Sequence, residues 1–229
     1  VRVSVVLVDN GEELLERSVA SIRSQTVRPH ELIVAPGPRT DLELARRLAD
    51  VVLEPCGSIG YARYLGLLRA SGDVVMLADS DTIYGENYLR YALEDISRGY
   101  QLVKAGTVYP VEPSNPLWLL EHMLFALGGA WEFGWVVVRE ELLRSLTPEL
   151  VERLRNPRAD LGHLAYWNPL ASLDLRLRST VDHRMVLWTR MPTHFTRSYL
   201  VPAVGATLVS SVVPAVVGYA TLRKLLDYA

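Results

Sequence analysis

A chain of 229 residues, 49% hydrophobic and 22% charged, has room for one sizeable core, and its net charge of -2 at pH 7 leaves no broad basic surface for nucleic acid. Lys104 and Lys224 are its only lysines, and no Lys/Arg run interleaved with aromatics occurs, so no nucleic-acid partner is expected. Cys56 is the single cysteine, which excludes an internal disulfide and a cysteine zinc site and fits a reducing compartment.

Val3 to Val8 has the length of a buried strand and is too short for the apolar region of a secretory leader, so a cytoplasmic location is expected. Asp9-Asn10-Gly11-Glu12 follows it, and Leu14, Leu15, Val19 and Ile22 then repeat at helical spacing. Glu31 to Ala35 reads as a second strand, broken by Pro36-Gly37-Pro38. Thr40 and Glu43 have the spacing of a capping box for a helix through Leu44, Leu48 and Ala49. Val51 to Leu53 is a short third strand, and Gly57-Ser58-Ile59-Gly60 leads into a helix from Tyr61 to Ala70. Four strands separated by helical patterns predict a parallel sheet with helices on both faces.

The fourth strand carries the chemistry. Val74-Val75-Met76-Leu77-Ala78 runs straight into Asp79-Ser80-Asp81. Such an apolar strand is buried on both faces of a parallel sheet, and ligands of these sheets sit at the carboxyl ends of their strands. Residues i and i+2 of an extended segment point the same way, so Asp79 and Asp81 can converge on one hard cation with oxygen ligands. A plain turn after a strand reads equally well from these residues alone.

The second half is less regular. A helix from about Glu86 to Ser97 precedes a strand over Gln101 to Tyr109 and a loop from Pro110 to Pro116. Leu117 to Leu127 reads as helix, Gly128-Gly129 breaks it, and Trp135 to Val138 is a strand. Thr147 before Pro148 starts another helix, Leu170 to Arg178 is helical, and Met185 to Thr189 is a last strand. No charged residue occurs from Leu200 to Leu222, but Pro202 and Pro214 cut that run into pieces too short to cross a membrane. Two short apolar helices, lying at a membrane surface or on a second copy of the chain, are expected there; completion of the domain core is the alternative.

In their order, Val3 to Val8, Ser24-Gln25-Thr26, Glu31 to Val34, Gly60-Tyr61-Ala62-Arg63-Tyr64-Leu65-Gly66, Ala70-Ser71-Gly72-Asp73 and Asp79-Ser80-Asp81 resemble a family 2 glycosyltransferase of GT-A fold, over residues 1 to about 140. The resemblance implies a mixed, mostly parallel sheet flanked by helices, with a GT-A domain over 1–199 and an apolar helical tail over 200–229. Within that domain it implies a nucleotide-sugar-binding half over 1–109 and an acceptor-binding half over 110–199. It implies sugar transfer with inversion from a nucleotide-diphosphate donor, dependent on a divalent metal (Mn2+ or Mg2+), to a sugar or lipid-linked acceptor at the cytoplasmic face of a membrane. By the same likeness Asp81 would touch the metal, and Asp79 would bind ribose or reach the ion through water. Asp9 and Asn10 would line the nucleoside pocket, unless Asn10 merely caps a helix. Arg63 would lie near the nucleotide, unless it is a solvated surface residue.

Asp160, in Arg158-Ala159-Asp160, stands where the family places its general base, with Asp174 and Asp182 as the next acids. His194 stands where some relatives add a metal ligand, and His183 competes for that role. Trp131 and Glu132 fall where the family builds its acceptor pocket; Trp135 reads equally as core. One departure is clear: Ala35-Pro36-Gly37-Pro38 replaces the acidic residues and Gly-Ser that usually hold the base, which puts the nucleotide's identity in question. A non-catalytic, membrane-associated binding or scaffold protein with a degraded donor site is therefore the alternative reading. A nucleotidyltransferase would want a Gly-rich, Arg- or Lys-bearing loop after the first strand, which Asp9-Asn10-Gly11-Glu12 does not supply.

Overall fold

The computed structural model describes residues 1–111, 133–156 and 177–189. Eight strands are present among them: β1 (Val3–Asp9), β2 (Glu31–Pro36), β3 (Val51–Val52), β4 (Val74–Asp79), β5 (Thr82–Tyr84), β6 (Leu102–Pro110), β7 (Phe133–Val138) and β8 (Ser179–Thr189). They form one mixed sheet in the order β3-β2-β1-β4-β7-β6-β8-β5. The pairs β2–β3, β1–β2, β1–β4 and β6–β8 are parallel, while β4–β7, β6–β7 and β5–β8 are antiparallel. Six helices accompany it: α1 (Leu15–Arg23), α2 (Leu42–Leu48), α3 (Ile59–Arg69), α4 (Tyr88–Ser97), α5 (Arg139–Ser145) and α6 (Pro148–Leu154).

Apolar alternation makes the sheet the centre of the core. Val6, Val8, Ile33, Ala35, Val75, Leu77, Trp135 and Val137 share one buried cluster with Ala62 and Leu67 of α3, Leu142 of α5, and Leu150 and Leu154 of α6. The intervening strand residues Val5, Leu7, Leu32, Val34, Met76 and Val136 are equally buried and, by the two-residue period, face the other side. A β1 and β4 without exposed apolar residues must be covered on both faces, as their uninterrupted apolar runs require. Trp135 belongs to this core.

Several elements differ from their sequence reading. The helix α2 is capped by Asp41, whose Oδ1 accepts the N–H groups of Glu43 and Leu44 at 3.0 Å each, and not by a Thr40–Glu43 box. Thr40 is drawn away because its hydroxyl donates to the Asp9 carbonyl at 2.8 Å. The helix α4 begins at Tyr88, two residues after the expected Glu86, because Glu86 and Asn87 accept hydrogen bonds from Thr26. The strand β5 is too short to carry a period of its own, and α5 follows β7 with no break for a turn signal to mark; neither is foreseen from the residues. The helix expected over 117–127 and the apolar run over 200–222 lie outside the described residues, as does all but the last two residues of the helix expected over 170–178. No helix among the described residues is long and apolar enough to cross a membrane.

Candidate functional site

The strand order reverses at β1: β2 and β3 lie to one side of it, and after β3 the chain crosses back to place β4 on the other. Ligand crevices of open α/β sheets form at such a reversal, outside the carboxyl ends of the two diverging strands. Here those ends are Asp9 and Asp79, set beside each other because Val8 pairs with Asp79 in the parallel register. Ser80 continues the contact through its N–H, which donates to the Val8 carbonyl at 3.1 Å.

Asp9 is buried and spends its carboxylate on its own loop. Its two oxygens accept the N–H of Gly11 at 3.0 Å and of Glu12 at 3.2 Å, folding the β1–α1 connection into a tight turn. Asn10 does not cap α1, whose first turn has no side-chain cap at all. Its Oδ1 instead accepts the Arg39 N–H at 3.4 Å, tying the first loop to the Pro36–Thr40 loop. A Cβ at Gly37 would lie 2.6 Å from that Oδ1 and 3.1 Å from the Asp9 carbonyl oxygen, so a glycine at residue 37 lets the two loops close without displacing the Asn10 side chain. The sequence departure at Ala35-Pro36-Gly37-Pro38 is thus built into the wall of the crevice.

Arg63 is buried, not a solvated surface residue, and its guanidinium pairs with the Asp79 carboxylate. What brings it there is the close approach of α3 to β1: a Cβ on Gly66 would sit 2.3 Å from Val6 Cγ1, so only glycine lets the helix descend this far. Arg63 lies nearly one turn before Gly66, on the stretch of helix that this contact presses to the sheet.

Asp81 lies at the opposite electrostatic extreme. Burial, then the charge of Asp79 and that of Glu12, pushes its carboxyl up to about 7, against the hydrogen bond that it accepts from Thr82 Oγ1 at 3.0 Å. Glu12 is a contributor that sequence reasoning missed, although its place in the loop after β1 was the available signal. Tyr84 is a second: its phenol oxygen accepts the Asp79 N–H at 2.9 Å, and burial followed by the charge of Asp79 pushes its own pKa well up. The ring of Tyr88 meets that of Tyr84 edge-on at 5.2 Å, so a packed aromatic floor lies under the acidic turn.

Among the described residues no three His, Cys, Asp or Glu side chains gather closely enough to hold a metal by themselves. The donor chemistry still fits a hard divalent ion of the Mg2+ kind, which is held by one or two carboxylates while phosphate oxygens and water complete its shell. Asp81, raised by burial and by the charges of Asp79 and Glu12, is the group whose charge such an ion would stabilise. His183 cannot join it. Thr189 of β8 pairs with Thr82 and with Pro110 of β6, whereas the ring Nδ1 of His183 is held 2.9 Å from the Gly106 carbonyl, four residues back along β6 and about 13 Å away at some 3.3 Å per residue. Asp182 stands at the same distant end and is bound to Arg184, which also removes it as an alternative base. Asp160, Asp174, His194, Trp131 and Glu132 lie outside the described residues.

The family profile described as Glycosyl transferase family 2 matches residues 4–153. No curated protein matches the sequence. Among solved structures, S. aureus TarS 1-349 in complex with UDP aligns with a TM-score of 0.57 at 16% identity, over 92% of this chain and 65% of that one. A longer S. aureus TarS gives 0.57 at 16% identity over 83% of this chain and 37% of its own. Glucosyl-3-phosphoglycerate synthase from Mycobacterium tuberculosis, in complex with Mn2+, UDP and phosphoglyceric acid, gives 0.57 at 23% identity over 92% and 78%. At these identities the likeness is one of fold, and the chain spans little more than a third of the longer TarS.

Proposed function

This chain belongs to glycosyl transferase family 2, and from that premise we propose that it transfers a sugar from a nucleoside-diphosphate donor, a UDP-sugar first among them, to an acceptor hydroxyl. The observation that carries the reading is the acidic turn Asp79-Ser80-Asp81 at the reversal point of the sheet, with Arg63 paired to Asp79 and Asp81 pushed up to about 7. UDP is the first nucleotide to test because the TarS and mycobacterial synthase structures contain it.

In this reading the acceptor oxygen attacks the anomeric carbon while the bond from that carbon to the diphosphate breaks, and the nucleoside diphosphate leaves with the bonding electron pair. Asp160 takes the acceptor proton. Asp81 would hold a divalent ion, with Asp79 binding ribose or reaching the ion through water and His194 as a further ligand; the ion would neutralise charge on the leaving diphosphate. Asp9 and Asn10 shape the nucleoside side, and Arg63 keeps Asp79 oriented. Trp131 and Glu132 line the acceptor side. The charge-free run from Leu200 to Leu222 supports a lipid-linked acceptor at a membrane surface, and flotation of the full-length chain with liposomes tests it: protein left in the aqueous fraction removes the lipid part of the reading.

Calorimetry with UDP, with and without Mn2+, tests the donor site. Binding enhanced by Mn2+ is expected in the native chain, and Asp81→Ala should lose at least about 100-fold of the Mn2+-dependent affinity, since even the outer-shell partners of metal ligands are worth about 10 to 100-fold. A native chain that binds no nucleoside diphosphate supports the non-catalytic alternative. Asp160→Asn should keep UDP binding and lose transfer by about 10² to 10⁴-fold, the usual worth of a general base; turnover at the native level moves the base elsewhere.

A further inference from the structure

The helix α1 buries an edge that is polar. Ser18, Ser21 and Gln25 recur at i, i+3 and i+7, so they form one line along the helix and just past its end, and all three are nearly inaccessible to solvent. An apolar edge made of Leu15, Val19 and Ile22 runs beside them. Each of the three polar side chains reaches the main chain between the end of β4 and the start of α4. Ser18 Oγ donates to the Asp79 carbonyl at 3.1 Å. Ser21 Oγ accepts the Tyr84 N–H at 3.0 Å. Gln25 donates to the Gly85 carbonyl at 2.7 Å and accepts the Leu89 N–H at 3.0 Å.

The reason for a polar edge lies in the sheet order. The strand β5 is the last of the sheet and pairs with β8 on one side alone, so its other edge presents main-chain groups that must find partners when buried. Ser21 supplies one of them at Tyr84, and with its neighbours it brackets Asp79-Ser80-Asp81 from both ends: Ser18 grips residue 79 at the end of β4, and Ser21 and Gln25 grip residues 84 and 85. A backbone held at both ends can keep two carboxylates at a fixed separation although like charges there repel.

We propose that Ser18, Ser21 and Gln25 are positioning residues of the donor site, which hold the Asp79–Asp81 turn in the geometry that receives the metal–diphosphate unit. They touch neither ligand. The proposal rests on the donor-site reading given above and adds to it a part for residues on a different helix. Its signature is specific: loosening the turn should weaken the metal-dependent part of UDP binding and spare the rest.

The test is calorimetry of UDP on the full chain with and without Mn2+, in Ser18→Ala/Ser21→Ala and in Val19→Ala, which removes apolar volume from the neighbouring edge of the same helix. The double variant should lose about tenfold of the Mn2+ enhancement while its metal-free UDP affinity stays within about twofold of native. Val19→Ala, at least as destabilised in thermal unfolding, should keep the native enhancement. Should the double variant fail to fold, Ser18→Ala alone carries the test with an expected loss of about threefold. An unchanged enhancement in the serine variants, or an equal loss in Val19→Ala, overturns the positioning role while the donor-site reading stands. A native chain with no Mn2+ enhancement overturns both.

Discussion

At the amino ends of the parallel strands, Glu31 is buried and its Oε1 accepts three hydrogen bonds, from Ser4 Oγ at 2.6 Å and from the N–H and Oγ of Ser71 at 2.7 Å each. At the carboxyl ends of the same strands, Asp81 is also largely shielded, but its neighbours are Asp79 and Glu12, against which the Thr82 hydroxyl donates to it. Burial pushes both carboxyls up. The hydrogen bonds from Ser4 and Ser71, with the charge of Arg69, outweigh it at Glu31 and hold that group below its usual range; at Asp81 the neighbouring acids add to it. One end of the sheet is a completed polar network, closed further by the Gly72 N–H on Ser4 Oγ at 2.8 Å. At the other, Arg63 pairs with Asp79 while Asp81 stays raised beside its acidic neighbours, a strain that an added cation or proton relieves, as at a binding site.

The largest expected effect is at the completed end. Glu31→Ala leaves the buried Ser4 hydroxyl and the N–H and hydroxyl of Ser71 at the exposed rim without their acceptor and should cost about 3 kcal/mol in urea denaturation, at the upper end of what an unsatisfied buried group costs. A loss below about 1 kcal/mol would show that water replaces the carboxylate and that the network is not closed.

Next is the contact that carries Arg63 to the acidic end. Gly66→Ala puts a methyl group where Val6 already lies; the cost should be about 2 kcal/mol, the range of overpacked cores. Lifting α3 also draws Arg63 from Asp79, so weaker UDP binding should accompany the loss of stability. Unchanged binding would separate the ion pair from the donor site.

The smallest effect has the opposite sign. The folded value of Asp81, about 7, exceeds the unfolded carboxyl value of about 3.9, so the folded state holds the proton more tightly. Its contribution to stability is fully present below about pH 4 and is lost as pH rises through 7. Asp81→Asn should therefore be more stable than the native chain at pH 8 by about 1–2 kcal/mol, after allowance for solvent screening, and no more stable at pH 4. Glu31 has the reverse sense: its lowered value stabilises above the ordinary glutamate range, and the benefit is lost as pH falls through it. Glu31→Gln should flatten the acid arm of the stability profile alone, and Asp81→Asn the neutral arm alone. Matching changes in both arms would erase the distinction between the two ends.

Much of the fold was legible in the residues. The apolar runs of β1, β2 and β4, the helical spacing of α1 and the Thr147-Pro148 start of α6 are local signals, and each element forms where its signal stands. Asp79 and Asp81 were legible as a candidate site for the same reason, since an apolar strand that ends in carboxylates marks its own carboxyl end. The Ala70-Ser71-Gly72-Asp73 stretch was read as a family feature, and its task is now visible as the closure of the Glu31 network.

What the sequence determined by itself was whatever depends on neighbours along the chain: strand, helix, turn and the order in which they come. The tertiary structure decided everything that depends on which segments meet. Asp41 replaced Thr40 as the α2 cap because Thr40 met the Asp9 carbonyl 31 residues away. Arg63 became buried because Gly66 met Val6, and His183 left the site because β8 runs past β5 in one particular register. The line of Ser18, Ser21 and Gln25 is set by helical spacing, but its partners on residues 79, 84 and 85, like the acids that raise Asp81, are brought to it by strand order, which no local period encodes.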